Sequence, residues 1–207
     1  MKKLILGAGL MLGLAFSTAP ANAESDGFGF DPYVGMGIGS LVFTQTGQLF
    51  GPPSNAKFQN YTQLYGYVAM GAQLHKYFDI EMRLGTTKAD SNTATPTAKP
   101  TYSADYVWSF LAKPKAYMTE KTSIYALVGG TTARYAGNGV GTAAGNTAVG
   151  TNKVSGVSFG GGLEYKASEH FSIGLEAIRY LHKRSAGPPS PNELSLDSYT
   201  ATLKYGF

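Results

Sequence analysis

The chain has 207 residues, with 17 Lys and Arg against 13 Asp and Glu, a formal charge of +4, and no cysteine. The missing cysteine excludes disulfides, thiolate catalysis and cysteine-ligated metal, and so small a positive excess indicates no nucleic-acid partner. Charged residues make up only 14%, whereas Gly (27) and Tyr (14) are abundant.

The first segment reads as a secretory signal. Lys2 and Lys3 form a basic head, Leu4 to Phe16 a short apolar stretch, and Ala21-Asn22-Ala23 a small-residue cleavage site. Cleavage after Ala23 leaves 24–207 as one mature domain and lowers the formal charge from +4 to +2 by removing Lys2 and Lys3. No mature segment approaches the length of apolar run that a spanning helix needs. An exported, aromatic-rich chain of this kind is either a periplasmic β protein or an outer-membrane barrel.

Eight stretches then carry the period-two pattern of strands: 32–45, 62–75, 78–88, 102–117, 123–135, 154–166, 171–184 and 196–207. In the first, Gly35, Gly37 and Gly39 share a face opposite Val34, Met36 and Ile38. The phase is clear in the third, fourth, sixth and eighth, weak in the second and fifth, and slips in the seventh around Ile178 to Leu181. Connections alternate strictly, long then short. The long ones fall at about 46–61, 89–101, 136–153 and 185–195, the short ones around His75–Tyr77, Thr119–Thr122 and Ala167–His170. A transmembrane barrel sorts its loops this way, with short periplasmic turns and longer outer loops.

The chain ends on SYTATLKYGF, in which Tyr199, Ala201, Leu203, Tyr205 and Phe207 share one face. In hydrocarbon every backbone polar group must be paired, so strands cross only as a closed ring and the last must meet the first. The fold class read here is all-β: an eight-stranded antiparallel up-and-down transmembrane barrel. Tyr77, Tyr117, Tyr165, Phe171, Tyr205 and Phe207 then form a periplasmic aromatic girdle, and Phe43, Tyr106, Trp108 and Tyr199 an outer one.

GAQLHKYFDIEMRLG (71–85), AKPKAYMTEKTSIYALVGG (112–130) and GGGLEYKASEHFSIGLEAIRY (160–180) resemble the OmpA-type and opacity-type eight-stranded outer-membrane barrels. The resemblance implies that the terminal strand, with Tyr199, Leu203, Tyr205 and Phe207, is the signal read by the barrel assembly machinery. Some members of that family carry a peptidoglycan-binding domain; with the chain stopping at Phe207, none is expected here. The resemblance also implies an ionic network in the lumen, to which Glu81, Lys113, Glu164 and Glu176 correspond. Two positions where relatives carry lumen arginines read Leu127 and Gly174, and alternation points Arg83, Lys115 and Lys204 inward instead. So small a barrel is filled by side chains, so structural pairing in a polar lumen is expected rather than a path for ions.

His182, Ser185, Glu193 and Asp197 near the last outer loop resemble the region where outer-membrane lipid A deacylases keep a His/Ser/acid triad. Here, however, Arg184 stands two residues after the histidine, and Ser185 falls on the opposite strand face. The chain is therefore read as non-enzymatic, with a deacylase-like hydrolase and a narrow solute channel as alternatives. His75, His170 and His182 are scattered between the two ends, so no metal site is expected, and no cofactor-binding glycine motif occurs.

The segment AGNGVGTAAGNTAVGTN (136–152) has no charge and no aromatic residue and reads as a tether. GPPS recurs at 51–54 and 187–190 in two loops that adjoin once the barrel closes. The expected partners are outer-membrane lipids and lipopolysaccharide, with Arg179, Lys183 and Arg184 near the rim. The prolines of the GPPS loops read first as ordinary stiffening, with an extracellular partner reached through the loops as the alternative.

Overall fold

The computed structural model describes residues 29–46, 59–88, 101–140, 147–185 and 192–207. The signal segment, both GPPS motifs and most of the long connections lie outside these residues. Eight strands follow in chain order: β1 (Asp31–Thr46), β2 (Gln59–His75), β3 (Phe78–Thr87), β4 (Thr101–Tyr117), β5 (Thr122–Val140), β6 (Thr147–Lys166), β7 (Phe171–Ser185) and β8 (Asn192–Gly206). Each pairs antiparallel with its neighbour in sequence, and β8 returns to β1 to close the barrel.

Closure explains the apolar terminus. Register runs from Tyr33 opposite Gly206 up to Thr46 opposite Glu193. The amide of Phe207 still donates to the Pro32 carbonyl at 3.3 Å. The backbone is therefore paired almost to its last atom, with Leu203 and Phe207 exposed on the outer wall.

Three tight turns join the strands at one end. The Thr119 hydroxyl accepts from the Thr122 amide at 3.0 Å, and the Ser168 hydroxyl from the Phe171 amide at 3.1 Å. These side-chain caps occupy amides that the reversing chain would otherwise leave unpaired. Aromatic rings gather at this end: Phe171 packs edge-on against Tyr205 at 5.0 Å between centroids, Tyr205 against Phe207 at 5.3 Å, and Tyr77 against Tyr117 at 6.1 Å.

The outer wall is apolar around the barrel, with Met36, Ile38, Val68, Leu84, Phe110, Val128, Val157, Phe159 and Leu175 all exposed. The inner wall is a packed core, and tyrosines share its space with glycines. Tyr65 lies over Gly85, where an added Cβ would stand 2.3 Å from the phenol oxygen, and Tyr125 covers Gly162 in the same way. A ring on one strand fills the volume that a missing side chain leaves on the next.

Three expectations are corrected. Phe43 is not part of an outer girdle: it is 2% exposed and packs in the lumen. It shares parity with Gly35, Gly37 and Leu41, so strand geometry carries it inward with them. Secondly, most of 136–152 is strand, because β5 and β6 stay paired up to Val140 opposite Thr147. Small residues satisfy a backbone ladder as well as large ones, and the hydrogen bonds do not depend on amphipathic contrast. Thirdly, the lumen is polar over only part of its height. Toward the long-loop end it is an apolar core that includes Leu41, Phe43, Tyr180, Leu181, Leu194 and Leu196.

Candidate functional site

Nearest the short turns, the inward positions of β3, β4, β6, β7 and β8 bring charge together. Alternation along β3 turns Asp79, Glu81 and Arg83 to the same side. Arg83 is 1% exposed and lies between two carboxylates. Its Nε donates to Glu81, and its two terminal nitrogens take both oxygens of Glu176, one of them at 2.8 Å. Two tyrosines complete the carboxylates: Tyr33 donates to Glu81 at 2.8 Å and Tyr125 to Glu176 at 3.1 Å. The guanidinium also stacks on Tyr67, 4.6 Å from the ring centre.

A second cluster lies beside the first. Glu164 receives Lys113 at 2.7 Å on one oxygen and Lys204 at 2.6 Å on the other. Lys115 contacts Asp79 at 2.7 Å and donates to Gln73 at 3.3 Å. Among the described residues the lumen thus holds four carboxylates (Asp79, Glu81, Glu164, Glu176) and four cations (Arg83, Lys113, Lys115, Lys204), a net charge of zero. Neutrality is what a low-dielectric interior demands, since an unpaired buried charge costs several kcal/mol or more. The space left among these groups is about 20 Å³, room for about one water.

The structure brings together all seven charged residues expected on the inward face and adds Asp79. Asp79 had the right parity, but its place one residue inside a turn disguised it.

Above the charges the lining becomes hydroxylic and then apolar. Ser158 donates to the Tyr180 carbonyl at 2.6 Å, Thr131 lies 2.6 Å from Ser158, and Ser109 lies 2.7 Å from Thr131. Each hydroxyl has one proton, so the order is fixed: Ser109 donates to Thr131, which donates to Ser158. On β4 and β5, Leu111 and Leu127 lie between this chain and the short-turn end, and nearer the long loops Leu41, Leu181 and Leu196 close the bore.

Among the described residues the rim near β7 and β8 shows no triad. Asp197 is held by Arg179 at 2.6 and 3.1 Å and by the Ser195 hydroxyl at 3.2 Å. Opposite His182 stands Ser195, while Ser185 pairs with Asn192. The bulge in this hairpin falls between Arg179 and Leu181, before His182, so it does not change the spacing from His182 to Ser185. That bulge turns Tyr180 and Leu181 both inward, which is the slip seen in the sequence pattern. Among the described residues no three His, Asp or Glu side chains converge as a metal site. The side chains of Lys183, Arg184, Ser185 and Glu193 lie outside the described residues.

No curated protein sequence matches the chain. Solved structures match its fold. Ail, the attachment invasion locus protein of Yersinia pestis, superposes with a TM-score of 0.52 at 11% identity, covering 86% of this chain and 99% of Ail. Neisserial surface protein A gives 0.58 at 8% identity over 85% and 97%. OprG of Pseudomonas aeruginosa gives 0.53 at 9% identity over 88% and 98%. A closed eight-stranded barrel with an apolar outer wall and a match to the family model over residues 8–207 lead to one conclusion: the chain belongs to the outer membrane protein beta-barrel domain family, and its place is the outer membrane.

Proposed function

We propose that the protein is a plugged, non-enzymatic barrel whose work is to fix four outer loops at the cell surface. The observation that carries this reading is the filled bore: a neutral ionic layer on one side and a layer of fully buried leucines on the other. A channel needs a continuous wet path, and eight strands leave an interior only wide enough for side chains. Planar-bilayer recordings of the refolded mature protein are expected to stay silent. Discrete conductance steps would reject the plug.

In this reading, residues 1–23 are removed after Ala23 during export. The strand bearing Tyr199, Leu203, Tyr205 and Phe207 addresses the chain to the barrel assembly machinery. The loops meet an extracellular partner. Ail, a barrel of similar fold, has been crystallised with the heparin analogue sucrose octasulfate, and this supports a search among sulfated glycans for that partner.

The hydrolase alternative is not favoured, because the Arg179 guanidinium already occupies both oxygens of Asp197, the acid a triad would use. His182→Ala is expected to leave the lipid A acylation pattern of expressing cells unchanged by mass spectrometry. A change in acyl number between wild type and variant would revive the enzyme.

A further inference from the structure

The outer wall of β4, β5 and β6 carries a groove of about 540 Å³, lined by Trp108, Phe110, Ala112, Val128 and Thr132, with Ser155 at its upper end. Its floor is Gly130. A Cβ added there would meet nothing nearer than the Gly156 carbonyl oxygen at 3.9 Å. The missing side chain therefore leaves a trough between Phe110, its partner on β4, and Val157, its partner on β6. The lining is apolar apart from two hydroxyls, and Thr132 and Ser155 satisfy each other at 2.8 Å. Nothing in the trough asks for a polar ligand.

The next outward pair toward the long loops is Arg134 opposite Lys153, both exposed. Like charges directly opposite on neighbouring strands are destabilising unless something negative joins them. Asp105 lies 3.3 Å from Arg134 and balances one of the two. Among the described residues Lys153 has no acidic partner, so the rim above the groove keeps a net positive charge. The height is right for a headgroup. From Tyr165 in the periplasmic girdle to Lys153, at about 3.4 Å per residue and a tilt of about 40°, the strand climbs roughly 31 Å, against an apolar band of about 25 Å.

We propose that this groove is a lipid site. An acyl chain lies over Gly130 between Trp108 and the β6 wall, and a phosphate sits on Arg134 and Lys153. The long-loop end faces the cell exterior, so the occupant is the phosphorylated glycolipid of the outer leaflet, the lipid A part of lipopolysaccharide. The chain's single tryptophan, Trp108, lines the site and can report on it directly.

The test places the refolded mature protein in vesicles of phosphatidylcholine with brominated acyl chains, which quench Trp108. A few mole per cent of bis-phosphorylated, unbrominated lipid A is expected to restore emission as though enriched about tenfold at the groove over random mixing. Arg134→Gln/Lys153→Gln and, separately, Gly130→Leu are each expected to return recovery to the random-mixing value while keeping the compact band on an unboiled gel. The first removes the phosphate contact and the second fills the trough. Random-mixing recovery in the wild type overturns the proposal, as does enrichment that survives in both variants. Equal recovery with phosphatidylglycerol overturns the glycolipid as occupant. Recovery that follows the protein-to-lipid ratio and not the glycolipid means that a second copy of the chain covers the groove, and it also overturns the proposal.

Discussion

Replacing Arg83 by methionine is expected to destabilise the barrel by about 3–5 kcal/mol, the usual cost of removing one partner from a buried ion pair. Methionine has nearly the length of the arginine stem and keeps the packing on Tyr67, so the loss is electrostatic rather than a cavity. What it leaves behind is the reason for the size of the effect. Glu81 and Glu176 would face each other inside the lumen, each with a tyrosine hydroxyl still donating but no positive charge between them. Arg83→Lys keeps the charge but loses the fork that takes both oxygens of Glu176, so it is expected to fall between wild type and Arg83→Met. The triple change Glu81→Gln, Arg83→Met, Glu176→Gln removes the three charges of this cluster but leaves Asp79 and Glu164 against Lys113, Lys115 and Lys204, so it is expected to recover only part of the loss. Urea unfolding in phosphatidylcholine vesicles, followed through Trp108 emission, measures all three. A cost below about 1 kcal/mol for Arg83→Met would be the cost of a solvated surface pair, and would show that water fills this part of the lumen.

The arrangement around Arg83 was partly legible in the sequence, and so was the closing strand. Tyr199 to Phe207 alternate because one face meets lipid and the other a charged lumen, the condition under which period two shows most clearly. Phase faded where both faces are apolar. In β2, Tyr65 and Tyr67 point inward while Leu64 and Val68 point outward, and in β5 Leu127 faces the core while Val128 faces the lipid. No hydropathy contrast separates such neighbours, which is also why the apolar upper lumen went unread. Phe43 misleads for a related reason. Its position near a long loop suggested an interfacial ring, although the glycines of its own face already pointed to the crowded interior. The upper hairpin of β5 and β6 is held by backbone bonds between small residues, and such bonds leave no trace in composition. The groove over Gly130 was invisible for another reason: it exists only because residues from three strands are brought side by side.

Two adjacent glycines in β5 are expected to respond oppositely to the same change. Gly129→Ala places a Cβ 2.0 Å from the Phe110 carbonyl oxygen and 2.9 Å from the Leu111 Cα. Both atoms belong to backbone, so no rotamer relieves the overlap, and β4 must move. A closed ring has nowhere to move it without breaking ladder bonds, and no water is at hand to replace them. One or two buried backbone groups left unpaired make the expected loss roughly 2–4 kcal/mol. Gly130→Ala adds the same methyl on the opposite face, where the nearest atom is 3.9 Å away. There the restriction of the unfolded chain dominates, and the change is expected to be neutral or to stabilise by about 0.4–1 kcal/mol. Vesicle unfolding through Trp108 reads both variants, and the fraction of compact band on an unboiled gel gives an independent check on the first. Equal losses would mean that strand propensity sets the cost of replacing glycine here. Opposite outcomes would mean that space does: the inward face of the wall is filled to contact, and the outward face is left open over Gly130.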